Sequence, residues 1–312
     1  MTASRTAGTP QPGTRRQTLT VFDAELLSEA VKDADIEHRQ LEAGVFRGEL
    51  STLQAGAVVA NAGCYSRTLR AHGMLPIDTV VVGAILASAR DGCFNGFRFG
   101  ARDLICYPNG AELDYLLPAH TRWAALQLPR SMLPELGLSA SLFRQPKVFA
   151  ASVPGCAPVV NRLAQLVGAD AGTCSEADLL AGVDALTSGL TRQADGDENG
   201  GRPSYAERAR QVRCFEGLVR QRISEALRIP ALCDEIGVSQ RTLEQTFHDH
   251  LGLTPKRYLT ILRLHVAREI LLRRGDNDIA AIAAGCGLNH PGRFAIDYRR
   301  LFGELPSASA RG

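Results

Sequence analysis

Apolar residues recur at two different periods along the chain, and the change of period divides it. From residue 204 onward they fall at helical spacing. Val212, Phe215, Leu218, Val219 and Ile223 predict one helix. Ile261, Leu262, Leu264, Val266, Ala267, Ile270, Leu271 and Leu272 predict another of roughly 17 residues, which Pro255 opens and Gly275 closes. From Gly44 to Leu128 the apolar residues form short runs between turn residues instead, at 45–50, 57–60, 65–70, 79–85, 96–99, 103–107 and 123–128. About seven short strands in this span predict a small barrel or sandwich.

The remaining segments follow from the same pattern. Residues 1–18 are rich in Thr, Pro, Gly and Arg without apolar periodicity, and predict a disordered arm. Leu26, Leu27, Ala30 and Val31 suggest a helix within Asp23–Leu41. Residues 157–167 and 176–190 predict a helical pair that either caps the barrel or packs against its copy in a dimer. Gln193–Pro203 is acidic, glycine-rich and free of apolar anchors, as expected of a linker. The expected order is an arm (1–18), a β-rich domain (19–150), a helical segment (151–192), a linker (193–203) and an all-α domain (204–312).

Within the all-α domain a single pattern is written twice. Ala231–Phe247 and Ile279–Phe294 each carry a small residue (Cys233, Ala283), then a glycine four positions on (Gly237, Gly287), then a hydrophobic residue and the start of a second helix. Glycine suits the left-handed backbone at a helix C-terminus, and Ser239 suits an N-cap. Helix, short glycine turn and helix is the helix-turn-helix, whose second helix enters the DNA major groove.

The residues Gly237-Val238-Ser239, Leu243, Phe247, Leu251-Gly252-Leu253-Thr254-Pro255, Tyr258-Leu259, Arg263-Leu264, Ala267 and Leu271 resemble the first half of the AraC/XylS-type regulator signature. Ile282-Ala283, Gly287-Leu288, Phe294, Tyr298-Arg299-Arg300, Phe302-Gly303 and Pro306 resemble its second half. Leu288 departs from the usual Phe. Gly292–Ser307 is most similar to the subgroup of ethanolamine-utilisation regulators. More loosely, Gly100–Glu112 resembles the cupin-like effector domain of the family. The resemblance implies an α+β protein: an N-terminal cupin-like β-barrel effector domain and a C-terminal all-α double helix-turn-helix domain. It also implies a cytoplasmic transcriptional regulator, an activator of a metabolic operon. Its expected partners are double-stranded DNA, a small-molecule effector, RNA polymerase and a second copy of the chain.

Charge sharpens this division. The net charge is +2, but from Ser204 onward 17 Arg/Lys stand against 12 Asp/Glu, leaving 18 against 21 elsewhere. The basic excess lies where the helix-turn-helix pattern lies, as phosphate contact requires. Eight cysteines (64, 93, 106, 156, 174, 214, 233 and 286) include no Cys-x-x-Cys pair and read as reduced, mostly buried residues. No apolar run reaches the roughly 20 residues of a membrane span.

Candidate chemistry follows from the pattern. Leu243 and Phe247 point inward, so Gln240, Arg241, Glu244, Gln245 and His248 face out with groups able to bond base edges. In the second copy His290-Pro291-Gly292 offers few side-chain donors, leaving Arg293 and backbone contacts. The family's base-contacting positions correspond to Arg241, Glu244 and Gln245, then to Pro291, Gly292, Arg293 and Ile296. Thr254, Lys256, Arg257, Arg299 and Arg300 are expected to grip phosphates.

In the barrel, Tyr65, Arg67, Tyr107, Glu112, Tyr115 and Trp123 are candidate effector-pocket residues, combining aromatic surface with polar atoms. Of its histidines, His72 and His120 lack the clustered partners that a metal site needs, so neither a metal nor a cofactor is expected. No motif of a hydrolase or phosphate-binding loop is present, and a non-enzyme is expected. The alternatives are a regulator answering to a protein partner and a cupin-like enzyme fused to a DNA-binding module.

Overall fold

The computed structural model describes residues 4–7, 14–24, 27, 35–74, 78–108, 110, 112–153, 155–167, 203–274 and 278–311. The chain forms two compact units. Among the described residues, a β unit comprises those of 4–38 and 47–167, and a helical unit those of 39–46 and 203–311.

Two antiparallel sheets build the β unit. The larger runs in the order β1 (Ser4–Ala7), β2 (Thr14–Val21), β4 (Gly48–Ala55), β5 (Val58–Tyr65), β12 (Arg122–Pro129), β7 (Thr79–Ala87), β10 (Leu104–Tyr107) and β13 (Lys147–Phe149). The smaller runs β3 (Asp35–Gln40), β6 (Leu69–Met74), β11 (Glu112–Leu117), β8 (Gly92–Phe94) and β9 (Phe97–Phe99). The strands thus fall in two sheets, broadly the layout of the expected cupin-like fold as a jelly roll rather than a closed barrel.

Alternation along the strands gives the larger sheet two different faces. Ala60, Val82, Ala84, Leu104, Ala124, Leu126 and Leu128 pack with Val159, Val160 and Leu163 of helix α1 (Cys156–Val167) in one core cluster. Burying a side chain such as Leu163 contributes about 1.5–3 kcal/mol. The next residues along, Gly63, Tyr65, Tyr107 and Trp123, belong to the opposite face. At Gly63 a Cβ would lie 2.8 Å from Trp123 Cε2, so glycine lets the indole approach the strand.

Two expectations about the N-terminal region are corrected. The stretch expected to be a disordered arm contains β1 and most of β2, which pairs with β4 from Thr14↔Ala55 to Val21↔Gly48. Ladder hydrogen bonds come from the backbone, and so need no apolar periodicity. The helix expected to extend to Leu41 ends as strand β3 instead, while its centre lies outside the described residues. The expected 176–190 helix and most of the linker also lie outside them.

The helical unit contains α2 (Pro203–Gln221), α3 (Ile229–Ile236), α4 (Gln240–Leu251), α5 (Pro255–Arg274), α6 (Ile279–Gly285), α7 (Pro291–Phe302) and the short α8 (Pro306–Ser309). In its first half Phe215 of α2, Phe247 of α4 and Tyr258 of α5 form an aromatic cluster, with Phe215 and Phe247 centroids 4.8 Å apart. The Tyr258 hydroxyl donates to the buried Glu216 carboxylate. In the second half Arg268 of α5 lies 4.5 Å above the Phe302 ring and donates to Glu304 at 2.7 Å. α5 is 20 residues long, about 30 Å at 1.5 Å per residue.

Residues 39–46 are an unexpected component of this unit. Arg39 pairs with Glu216 at 3.3 Å, Gln40 Nε2 donates to the Leu301 carbonyl at 2.8 Å, and the Gly44 amide donates to the same carbonyl at 3.0 Å. The bonds to Leu301 satisfy a carbonyl near the C-terminus of α7, which helix geometry leaves open.

Candidate nucleic-acid interface

The two copies of the sequence pattern close with the same backbone bonds. The Val238 amide donates to the Cys233 carbonyl at 3.0 Å, and the Leu288 amide to the Ala283 carbonyl at 2.9 Å. Between each pair stands a left-handed glycine, Gly237 at φ 79° and Gly287 at φ 71°. The Arg263 guanidinium of α5 donates to the Gly287 carbonyl at 3.1 Å, tying the linking helix to the second turn.

Beyond the turns the copies differ by one residue. Ser239 caps α4, its hydroxyl accepting from the Thr242 amide at 3.0 Å. His290 stands at the N-cap of α7 and makes no such bond. Core residues correspond at this longer spacing: Leu243 with Phe294, Phe247 with Tyr298, and Leu251 with Phe302, all buried.

The outer face of α4 carries Gln240, Arg241, Glu244, Gln245 and His248, all exposed. Most are held by neighbours: Gln240 donates to Glu244 at 2.8 Å, Gln245 donates to Asp249 at 2.7 Å, and His248 Nδ1 lies 3.5 Å from Asp249. Among the described residues Arg241 makes no side-chain hydrogen bond or ion pair. A helix presenting these groups can bond base edges without first losing its fold.

Comparisons with known proteins agree with this geometry. A helix-turn-helix domain family matches residues 232–312. The HTH-type transcriptional activator RhaS of Escherichia fergusonii is 40% identical over 89 residues, 28% of this chain and 32% of that protein. The probable thc operon regulatory protein of Rhodococcus erythropolis is 35% identical over 102 residues, 32% of this chain and 31% of that protein. Residues 232–312 thus carry a helix-turn-helix domain of the AraC type. The match thus covers about a third of each of these relatives. Among solved structures, the AraC-like transcriptional activator CuxR aligns with 80% of this chain and 94% of its own, at 15% identity and a TM-score of 0.46.

In the second half of the AraC-type domain the structure alters the expected roles. Arg293, expected to carry base reading there, is exposed, but its Nε donates to Asp297 Oδ2 at 2.8 Å. Arg257 is half-buried and lies 3.8 Å from the other oxygen of Asp297. Burial lowers the pKa of Arg257, and Asp297 opposes that shift. The Thr254 hydroxyl accepts from the Arg257 amide at 3.2 Å, so it caps α5. Lys256, Arg299 and Arg300 are exposed, as phosphate contact requires.

In the β unit the expected pocket residues divide. Burial pushes the Tyr65, Tyr107 and Tyr115 phenols well above their ordinary pKa, and the charges of Tyr65 and Tyr107 raise Tyr115 further. The Trp123 ring lies 6.3 Å from that of Tyr65. Arg67 has a buried Nε without a hydrogen-bond partner among the described residues. Glu112, by contrast, is exposed and bonded to His72 at 2.8 Å, outside the tyrosine cluster.

His38 was missed by the pattern. Its Nε2 lies 3.0 Å from the Tyr115 hydroxyl, and burial lowers its pKa to about 4. Only the alternation of Ile36 and His38 around Glu37 hinted at a strand there. Among the described residues no group of His, Cys, Asp and Glu could hold a metal, and no helix is long and apolar enough to cross a membrane. Seven of the eight cysteines are described, and all seven are free thiols.

Proposed function

We propose that this protein is a sequence-specific, DNA-binding transcriptional regulator, an activator whose β unit senses a small molecule. One observation carries the reading: the same turn is closed twice, by Val238 on Cys233 and by Leu288 on Ala283, and each turn leads into a helix with an exposed outer face. Arg241, Glu244 and Gln245 would discriminate bases, each good bidentate pair being worth about 1–3 kcal/mol. Lys256, Arg299 and Arg300 would grip phosphates and set register.

The effector would lie against Tyr65, Tyr107, Tyr115 and Trp123, where buried phenols offer hydrogen bonds within an aromatic surround. To change DNA affinity it must bind the two states of the chain unequally. Dimerisation and contact with RNA polymerase complete the proposal.

Mapping the genomic fragments bound by the full chain tests the DNA reading. A defined set preferred over random duplex at moderate salt is expected, and the absence of any preference would refute it. Titration of small metabolites against the fluorescence of Trp123, the single tryptophan, tests the pocket. A saturable change that Tyr115→Phe weakens is expected.

A further inference from the structure

The two recognition helices can be superposed residue by residue. Their N-caps, Ser239 and His290, and the buried pairs Leu243/Phe294 and Phe247/Tyr298 give the same spacing. At that spacing Arg241 corresponds to Gly292, Glu244 to Ala295 and Gln245 to Ile296. The positions that carry a guanidinium, a carboxylate and an amide on α4 carry no hydrogen-bonding side chain on α7.

Ile296 is 64% exposed, the most exposed large apolar residue among those described. The core does not use it, because Phe294, Tyr298 and Leu301 fill the inner face of α7. Arg293 beside it is drawn back along the helix to Asp297. Arg299 and Arg300 are exposed on the next turn and supply charge suited to a phosphate backbone. In the major groove the apolar feature of a base edge is the C5-methyl of thymine.

We propose that α7 selects thymine by apolar contact of Ile296 with that methyl group, where α4 selects bases by hydrogen bonds. The proposal rests on the reading of this unit as a DNA reader and adds the chemistry of its second half. It makes Ile296 a specificity residue and places a thymine at one or two positions of the second half-site.

The test begins with duplexes selected by the full chain from a random pool. Each thymine of a selected duplex is then replaced in turn by deoxyuridine, which lacks only the methyl. At one or two positions the replacement is expected to weaken wild-type binding roughly 3–5-fold, the value of one buried methyl-sized group. Ile296→Ala, a change at an exposed site, is expected to bind the two forms of those positions equally. Other thymines should behave alike in both proteins. Failure to select any duplex would overturn the DNA-binding reading and this proposal with it. A selected duplex with no uracil penalty, or with a penalty that persists in Ile296→Ala, would overturn the methyl contact alone.

Discussion

Arg293 and Asp297, one turn apart on α7, form an ion pair with 2.8 Å between Nε and Oδ2, and Arg257 reaches the same carboxylate from α5. The pair restrains two arginines that the linear pattern offers freely to DNA. Asp297 is thus a brake on the charge of the second half-domain as well as a link between two helices.

Asp297→Asn should release both arginines. Non-specific affinity for duplex is expected to rise, and the salt slope to steepen by about 1 as one further phosphate is neutralised. Fluorescence anisotropy at several salt concentrations measures this, and an unchanged slope would argue that the arginines stay put. Stability should fall by roughly 0.2–1 kcal/mol, because the half-buried Arg257 loses the neighbouring carboxylate charge.

Arg241 and Arg299 should fail differently. Arg241→Ala is expected to cost about 1–3 kcal/mol on the preferred site and little on random duplex. Arg299→Ala should weaken both alike and lower the salt slope by about 1. Parallel titrations on the two duplexes separate the roles, and an equal loss for Arg241→Ala on both would assign it to phosphate.

The two turn glycines occupy matching positions but differ in surroundings. An added Cβ meets nothing within 4 Å at Gly237, whereas at Gly287 it would lie 2.8 Å from Arg263 Cζ and from the Ile223 carbonyl. Gly237→Ala should therefore cost only the left-handed backbone, about 1–2 kcal/mol. Gly287→Ala should cost roughly 1–3 kcal/mol more through overlap. Denaturant unfolding followed by circular dichroism compares them, and equal losses would show that Arg263 and the chain at Ile223 yield freely.

His38 should make the β unit acid-sensitive. Its pKa falls from 6.5 to about 4 on folding because burial disfavours the charged ring. Between those values the unfolded chain binds the extra proton, so stability is full above pH 6.5 and declines as pH falls toward 4. The loss is on the order of 3 kcal/mol at the bottom of the window, at about 1.36 kcal/mol per pKa unit. Unfolding monitored by Trp123 at pH 7.5 and pH 5 should show a marked difference in the wild type and a smaller one in His38→Gln.

Much of the helical unit was legible in the linear pattern because its signals are local. Gly237, Ser239 and Pro255 mark helix ends through their own backbone preferences, and Leu243 with Phe247 marks a buried face. The β unit was less legible. Seven runs marked strands, but β1, β2 and β3 have weak alternation and are placed by pairing, β2 with β4 and β3 with β6. Tyr65, Tyr107 and Tyr115 were legible as candidates, whereas the separation of Glu112 from them depended on its partner His72.

The sequence alone determined that the final third is a doubled helix-turn-helix with an outward polar face on its first reading helix, because caps, turns and helical periodicity act over a few residues. Only the tertiary structure decided the long-range pairings: Arg257 with Asp297 of α7, Arg263 with the Gly287 carbonyl, and the Leu301 carbonyl with Gln40 some 261 positions earlier. Such pairings follow from where folded elements meet, and no local spacing encodes them.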